Sequence, residues 1–116
     1  MFRAAYKVLR NSRRSIFAPS WVQYDLYRWI TPKSDNGPLG AFDTYEAARL
    51  FIENLSSGLR EVSGIWKVIY EEWEGKKRFW YYYVFSAGDR CRYEADGKPP
   101  DGTVFASKVY LLEEVK

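Results

Sequence analysis

Seven consecutive residues, Phe79-Trp80-Tyr81-Tyr82-Tyr83-Val84-Phe85, carry an aromatic ring at every position but one. Rings and β-branched side chains suit a pleated surface, so the run reads as a strand. Alternation sends Phe79, Tyr81, Tyr83 and Phe85 to one side and Trp80, Tyr82 and Val84 to the other. Both sides are bulky and apolar-bodied, and each needs a cover. The chain offers one clear helix for that purpose, from about Thr44 to Leu55. There Ala47, Ala48, Phe51, Ile52 and Leu55 recur at three- and four-residue spacing, with Glu46, Arg49 and Glu53 opposite. At ~1.5 Å per residue this helix is about 18 Å long, too short to shield both faces of such a sheet. Either the sheet curls into a half-barrel with a second core, or one aromatic face meets a partner.

The other segments favour strands. Ala5–Leu9, Tyr24–Ile30, Leu39–Phe42, Ile65–Trp73, Arg78–Ser86, Thr103–Phe105 and Lys108–Glu113 are short apolar or alternating runs. They are separated by turn-forming stretches at residues 33–38, 56–58, 74–77 and 95–102. Ile65–Trp73 and Arg78–Ser86 flank Glu74-Gly75-Lys76-Lys77, which predicts an antiparallel hairpin. Asp43 is the expected N-cap of the helix and Gly58 a left-handed residue soon after its end. The expected architecture is α+β: one domain over residues 1–116, with a curved, mostly antiparallel sheet of about six strands packed on one main helix at about 44–55. At 116 residues, 47% hydrophobic and 28% charged, the chain has the makings of a single packed core rather than a disordered segment. Its 19% aromatic content means that rings fill much of that core.

Several kinds of chemistry are excluded early. The sequence has no His and a single Cys, which removes the commonest general base and metal ligand together with any intramolecular disulfide. No calcium-loop pattern, Walker loop or dinucleotide fingerprint is present, so no metal and no cofactor is expected. Cys91 lies in Asp89-Arg90-Cys91-Arg92, where a strand would turn both arginines to the opposite face and leave the thiol unactivated. Glu71 and Glu72 are adjacent and would point apart on a strand, which leaves no shared-proton pair. The expectation is therefore a protein that is not an enzyme. No apolar run is long enough to span a bilayer, and a cytoplasmic location, with no membrane partner, is expected.

What survives is aromatic residues interleaved with bases. Residues 1–33 carry a net +6, the remainder −3. Arg13 and Arg14 lie in the densest basic cluster. Arg28 and Trp29 follow Tyr24 and Tyr27, and Lys76, Lys77 and Arg78 precede Trp80 and Tyr82. Rings can bury their faces in a partner, with tyrosine hydroxyls staying wet. The same combination holds single-stranded nucleic acid, bases stacking while Lys and Arg track phosphates. These nine residues, Arg13, Arg14, Arg28, Trp29, Lys76, Lys77, Arg78, Trp80 and Tyr82, form the candidate binding surface.

The stretch from Gly37-Pro38-Leu39-Gly40-Ala41-Phe42-Asp43 through Thr44-Tyr45-Glu46-Ala47-Ala48-Arg49-Leu50-Phe51, with the later Gly102-Thr103-Val104-Phe105-Ala106-Ser107-Lys108-Val109, resembles a pattern in short uncharacterised phage and prokaryotic proteins. It covers about a fifth of the chain and consists of fold signals: a turn, a strand, a capped helix and a closing strand. The resemblance implies a small intracellular or virus-encoded domain, in the latter case at work in the host cytoplasm, and transfers no catalytic residue. The leading expectation is a non-enzymatic interaction domain that self-associates or binds a protein through an aromatic sheet face. Its alternatives are a single-stranded nucleic-acid binder and a small His-independent enzyme acting on a nucleotide or sugar.

Overall fold

A computed structural model describes residues 2–15, 23–32, 38–55, 57–74, 80–84, 90–94 and 101–116. In chain order they form β1 (Phe2–Arg10), β2 (Trp29–Ile30), β3 (Leu39–Phe42), α1 (Tyr45–Glu53), α2 (Ser57–Glu61), β4 (Ser63–Glu72), β5 (Trp80–Val84), β6 (Arg90–Glu94) and β7 (Thr103–Val115). The class is α+β with antiparallel ladders, as the segment pattern predicts.

Five strands make the main sheet in the order β2-β7-β3-β1-β4, and β4 pairs again with β7. The row therefore closes: β7 meets β3, β3 meets β1, β1 meets β4, and β4 returns to β7. Alternation then separates an inside from an outside. Ala5 and Leu9 of β1, Leu39 and Ala41 of β3, Val68 and Tyr70 of β4, and Ala106, Val109 and Leu111 of β7 are buried together, with Tyr24 among them. The outward Val8, Phe42 and Ile65 pack instead with Ala48, Phe51 and Leu55 of the helical segment. Curling gives the inner face a core of its own and leaves the short helix only the outer face to cover. Three inward alanines (Ala5, Ala41 and Ala106) leave room in that core for longer side chains from other positions.

β7 explains how a single strand can read as two. Its register against β4 shifts twice, passing over Ser107 between Ala106 and Lys108, and over Leu112 between Leu111 and Glu113. Each extra residue resets the period-two pattern. Inward positions thus run Val104, Ala106, then Val109, Leu111, whereas Val115 returns to the helix side. The bends also help one long strand to pair with β3 near its start and with β4 further on.

Other expectations need correction. β4 does not form a hairpin with β5: its two edges are taken by β1 and β7, and β5 pairs with β6 in a separate two-stranded ribbon. The expected strand at Tyr24–Ile30 shrinks to Trp29–Ile30, because Tyr27 adopts a left-handed φ of 58° that breaks the extended run. The helix is capped by Thr44 rather than Asp43, its Oγ1 accepting from the Ala47 amide at 3.1 Å. Gly58 sits inside α2, a short helix that the sequence reading lacks.

Candidate interaction surface

The outer face of the closed sheet is only partly covered by α1. Along β1 the outward residues are Phe2, Ala4, Tyr6 and Val8; Val8 packs under the helix and the Tyr6 ring meets Tyr45 edge-on at 6.0 Å. The Phe2 end stands clear. Register there aligns Trp29 with Tyr110, Tyr110 with Ile69, and Ile69 with Ala4, while the next row holds Lys108, Glu71 and Phe2. All of these are outward positions on neighbouring strands, so the side chains meet.

The rings form a continuous cluster. Phe2 and Trp29 lie 5.1 Å apart and Trp29 and Tyr110 5.2 Å, both tilted, within the range where aromatic pairs attract beyond simple burial. The Lys108 ammonium lies 4.5 Å from the Trp29 ring centre and 5.4 Å from that of Phe2. Phe2 is 55% exposed and Trp29 39%, and Tyr27, two residues before Trp29, is 65% exposed. Tyr27 donates its backbone N–H to the Leu111 carbonyl at 3.1 Å. A bulky residue with positive φ is uncommon, and this one is anchored by backbone rather than by side-chain burial.

Charges around the rings are balanced. On this face Lys108 approaches Glu71 at 3.8 Å, and on its flank Arg28 approaches Asp25 at 3.6 Å. Glu71 is oriented further by the Ser107 hydroxyl, which donates to its Oε1 at 2.9 Å. A phosphate backbone approaching here would meet a carboxylate beside every one of these bases.

Of the nine candidate residues, the structure brings Arg28 and Trp29 to this cluster or its flank. Arg13 and Arg14 lie past the opposite end of β1, in a tight turn where Arg10 N–H donates to the Arg14 carbonyl. Phe2 and Arg10 are eight residues apart on one strand, about 26 Å at ~3.3 Å per residue. These arginines and rings do not converge. Lys76, Lys77 and Arg78 lie outside the described residues, as do the side chains of Trp80 and Tyr82, whose backbones belong to β5. Sequence reasoning missed Phe2, Ile69, Lys108 and Tyr110. Lys108-Val109-Tyr110-Leu111 reads as one apolar strand, and only register shows that Lys108 and Tyr110 face outward beside Trp29.

A different polar feature lies inside. Lys7 points inward from β1 and is 3% exposed. Its nitrogen donates to the Gly40 carbonyl and lies 5.1 Å from the centre of the Tyr24 ring. Burial pushes the Lys7 amine down to about 7 and the Tyr24 phenol up, since each charged form loses its hydration. Tyr24 is wholly buried, and its hydroxyl has no hydrogen-bond partner among the described residues.

A groove of about 580 Å³ runs beside α1, lined by Asp43, Thr44, Glu46, Leu50, Asn54 and Gly102 among others. Its polar groups are helix-capping or solvent-facing, with no nucleophile paired to a base. Among the described residues no group of three His, Cys, Asp or Glu could hold a metal ion, and no helix is long and apolar enough to cross a membrane. Comparisons with protein families, curated proteins and solved structures return no match.

Proposed function

We propose that this protein is a self-associating interaction domain whose outer aromatic face, centred on Phe2, Trp29 and Tyr110, docks on the same face of a second copy. The observation that carries this reading is the exposure of Phe2 and Trp29 at the end of a sheet face whose other end is closed by α1. An apolar centre with a polar rim is the ordinary anatomy of a protein interface. The rim favours a second copy as occupant. Its base and acid on this face form a matched pair, Lys108 with Glu71, so two faces related by a twofold axis can exchange partners without leaving a charge uncompensated. The same pairing weighs against single-stranded nucleic acid, whose affinity rests on unpaired cations.

Size-exclusion chromatography with light scattering over a wide concentration range tests the reading. Wild-type protein is expected to approach twice the monomer mass, and Phe2→Ala and Trp29→Ala to remain monomeric with unchanged far-ultraviolet circular dichroism. A strict monomer at every concentration overturns self-association. Salt-sensitive binding of a labelled oligonucleotide would favour the nucleic-acid reading instead.

A further inference from the structure

Lys7 is an expensive residue to bury. A methionine in its place would fill similar space without an amine needing partners. Among the described residues its surroundings supply one acceptor, the Gly40 carbonyl, and one π face, that of Tyr24. The titratable members of the inner core among them are Lys7, Tyr24 and Tyr70. Arg3, Glu72 and Asp43 act on Tyr70, whereas the displacement of Lys7 comes from burial. No carboxylate among the described residues offsets that burial.

The walls around Lys7 are unequally secured. β1 and β4 share a nine-residue ladder, and β4 and β7 an eight-pair one. Among the described residues, 23–30, which carry Tyr24, are held by shorter pairings. Their ties there are a bridge from Gln23 to Arg14 with Gln23 Nε2 donating to the Ser12 carbonyl, Tyr24 N–H to the Arg13 carbonyl, Tyr27 N–H to the Leu111 carbonyl, a bridge from Leu26 to Leu111, and the two-residue β2. Tyr27 adds a left-handed φ to the same segment. Segments with few ties are the ones that open without global unfolding.

We propose that Lys7 makes this barrel responsive to pH by favouring release of the 23–30 segment whenever its amine takes up a proton. Release lifts Tyr24 off the amine and lets water reach it. It also removes Trp29 from Phe2 and Tyr110, so protonation dismantles the aromatic face. That second consequence rests on the interaction reading; the opening itself does not.

The sign follows from linkage. In water the amine titrates near 10.5, and inside the closed core near 7. Between those values the opened form binds more protons, so lowering pH favours opening by roughly tenfold per unit, with a plateau below about 7. From pH 9 to pH 7 the opening constant rises about 50-fold.

Amide hydrogen exchange at several pH values, corrected for intrinsic rates, reads this directly, together with the Lys7 side-chain carbon shift by NMR. The expected result is a Lys7 midpoint near 7 and a loss of protection at Tyr24, Tyr27 and Ile30 of about 50-fold between pH 9 and 7. The β1–β4 amides should change less, and Lys7→Met should abolish the dependence. A Lys7 midpoint near 10 in the folded protein overturns the proposal without any variant. So does equal pH dependence in Lys7→Met, or a loss of protection spread evenly over all strands. Light scattering at the same pH values separates the two readings. A monomer whose 23–30 segment still opens sinks only self-association, and a dimer with flat exchange sinks only the Lys7 device.

Discussion

Gly102 joins the start of β7 to the N-terminus of α1, and its replacement by alanine tests how the helix is fixed on the barrel. Its φ is +80°, and an added Cβ would lie 2.6 Å from the Ala47 Cβ and 2.8 Å from Asp43 Oδ1. The Asp43 N–H donates to the Gly102 carbonyl at 2.8 Å, so the backbone cannot withdraw without losing that bond. A left-handed alanine costs about 1–2 kcal/mol, and forcing a methyl group into filled space costs about 1–3 kcal/mol. Stiffening the unfolded chain returns about 0.4–1 kcal/mol. The net expectation for Gly102→Ala is a loss of about 2–3 kcal/mol, read by urea denaturation with an unchanged m-value. Gly40→Ala is the control: nothing lies within 4 Å of its added Cβ, and its stability should stay within about 0.5 kcal/mol of wild type. Gly64→Ala should fall between, because the Glu114 Oε2 at 2.9 Å belongs to a flexible side chain that can turn away. A Gly102→Ala variant as stable as wild type, or a Gly40→Ala variant equally damaged, would refute the packing described at this junction.

Three further outcomes are expected. Thr44→Ala removes the hydroxyl that caps α1 and should cost about 1 kcal/mol in chemical denaturation. Arg49→Ala breaks the contacts to Glu46 and Glu53, yet these are exposed pairs screened by solvent, so the denaturation midpoint should stay close to that of wild type. Arg13→Glu/Arg14→Glu should leave self-association untouched, since the turn lies at the far end of β1 from Phe2; loss of the dimer in that variant by light scattering would contradict the placement of the interface.

Much of the architecture is legible in local pattern. The α1 stripe, the short β3 and the apolar β4 each announce themselves, because their period matches their burial. The ring-rich strand on which the sequence poses the question of cover, Phe79–Phe85, supplies β5, which pairs with β6 outside the closed sheet. Closure of the main sheet depends on pairings between residues far apart in the chain, such as Tyr6 with Phe42 and Leu39 with Ala106. No short window contains them. The expected β4–β5 hairpin is absent for a related reason: turn chemistry at 74–77 favours local pairing, but distant β1 and β7 already hold both edges of β4. Lys7 shows the limit most clearly. Nothing in Tyr6-Lys7-Val8 marks the lysine as buried, and only the closed ring encloses it.

The most direct test of the central claim is a dilution series followed by NMR, reading residue by residue which signals move as the protein passes from dimer to monomer. Shifts concentrated at Phe2, Trp29, Ile69, Lys108 and Tyr110, with the α1 groove and the Arg13–Arg14 turn unmoved, are the predicted result. Unchanged spectra across the series, or shifts confined to another face, would contradict it.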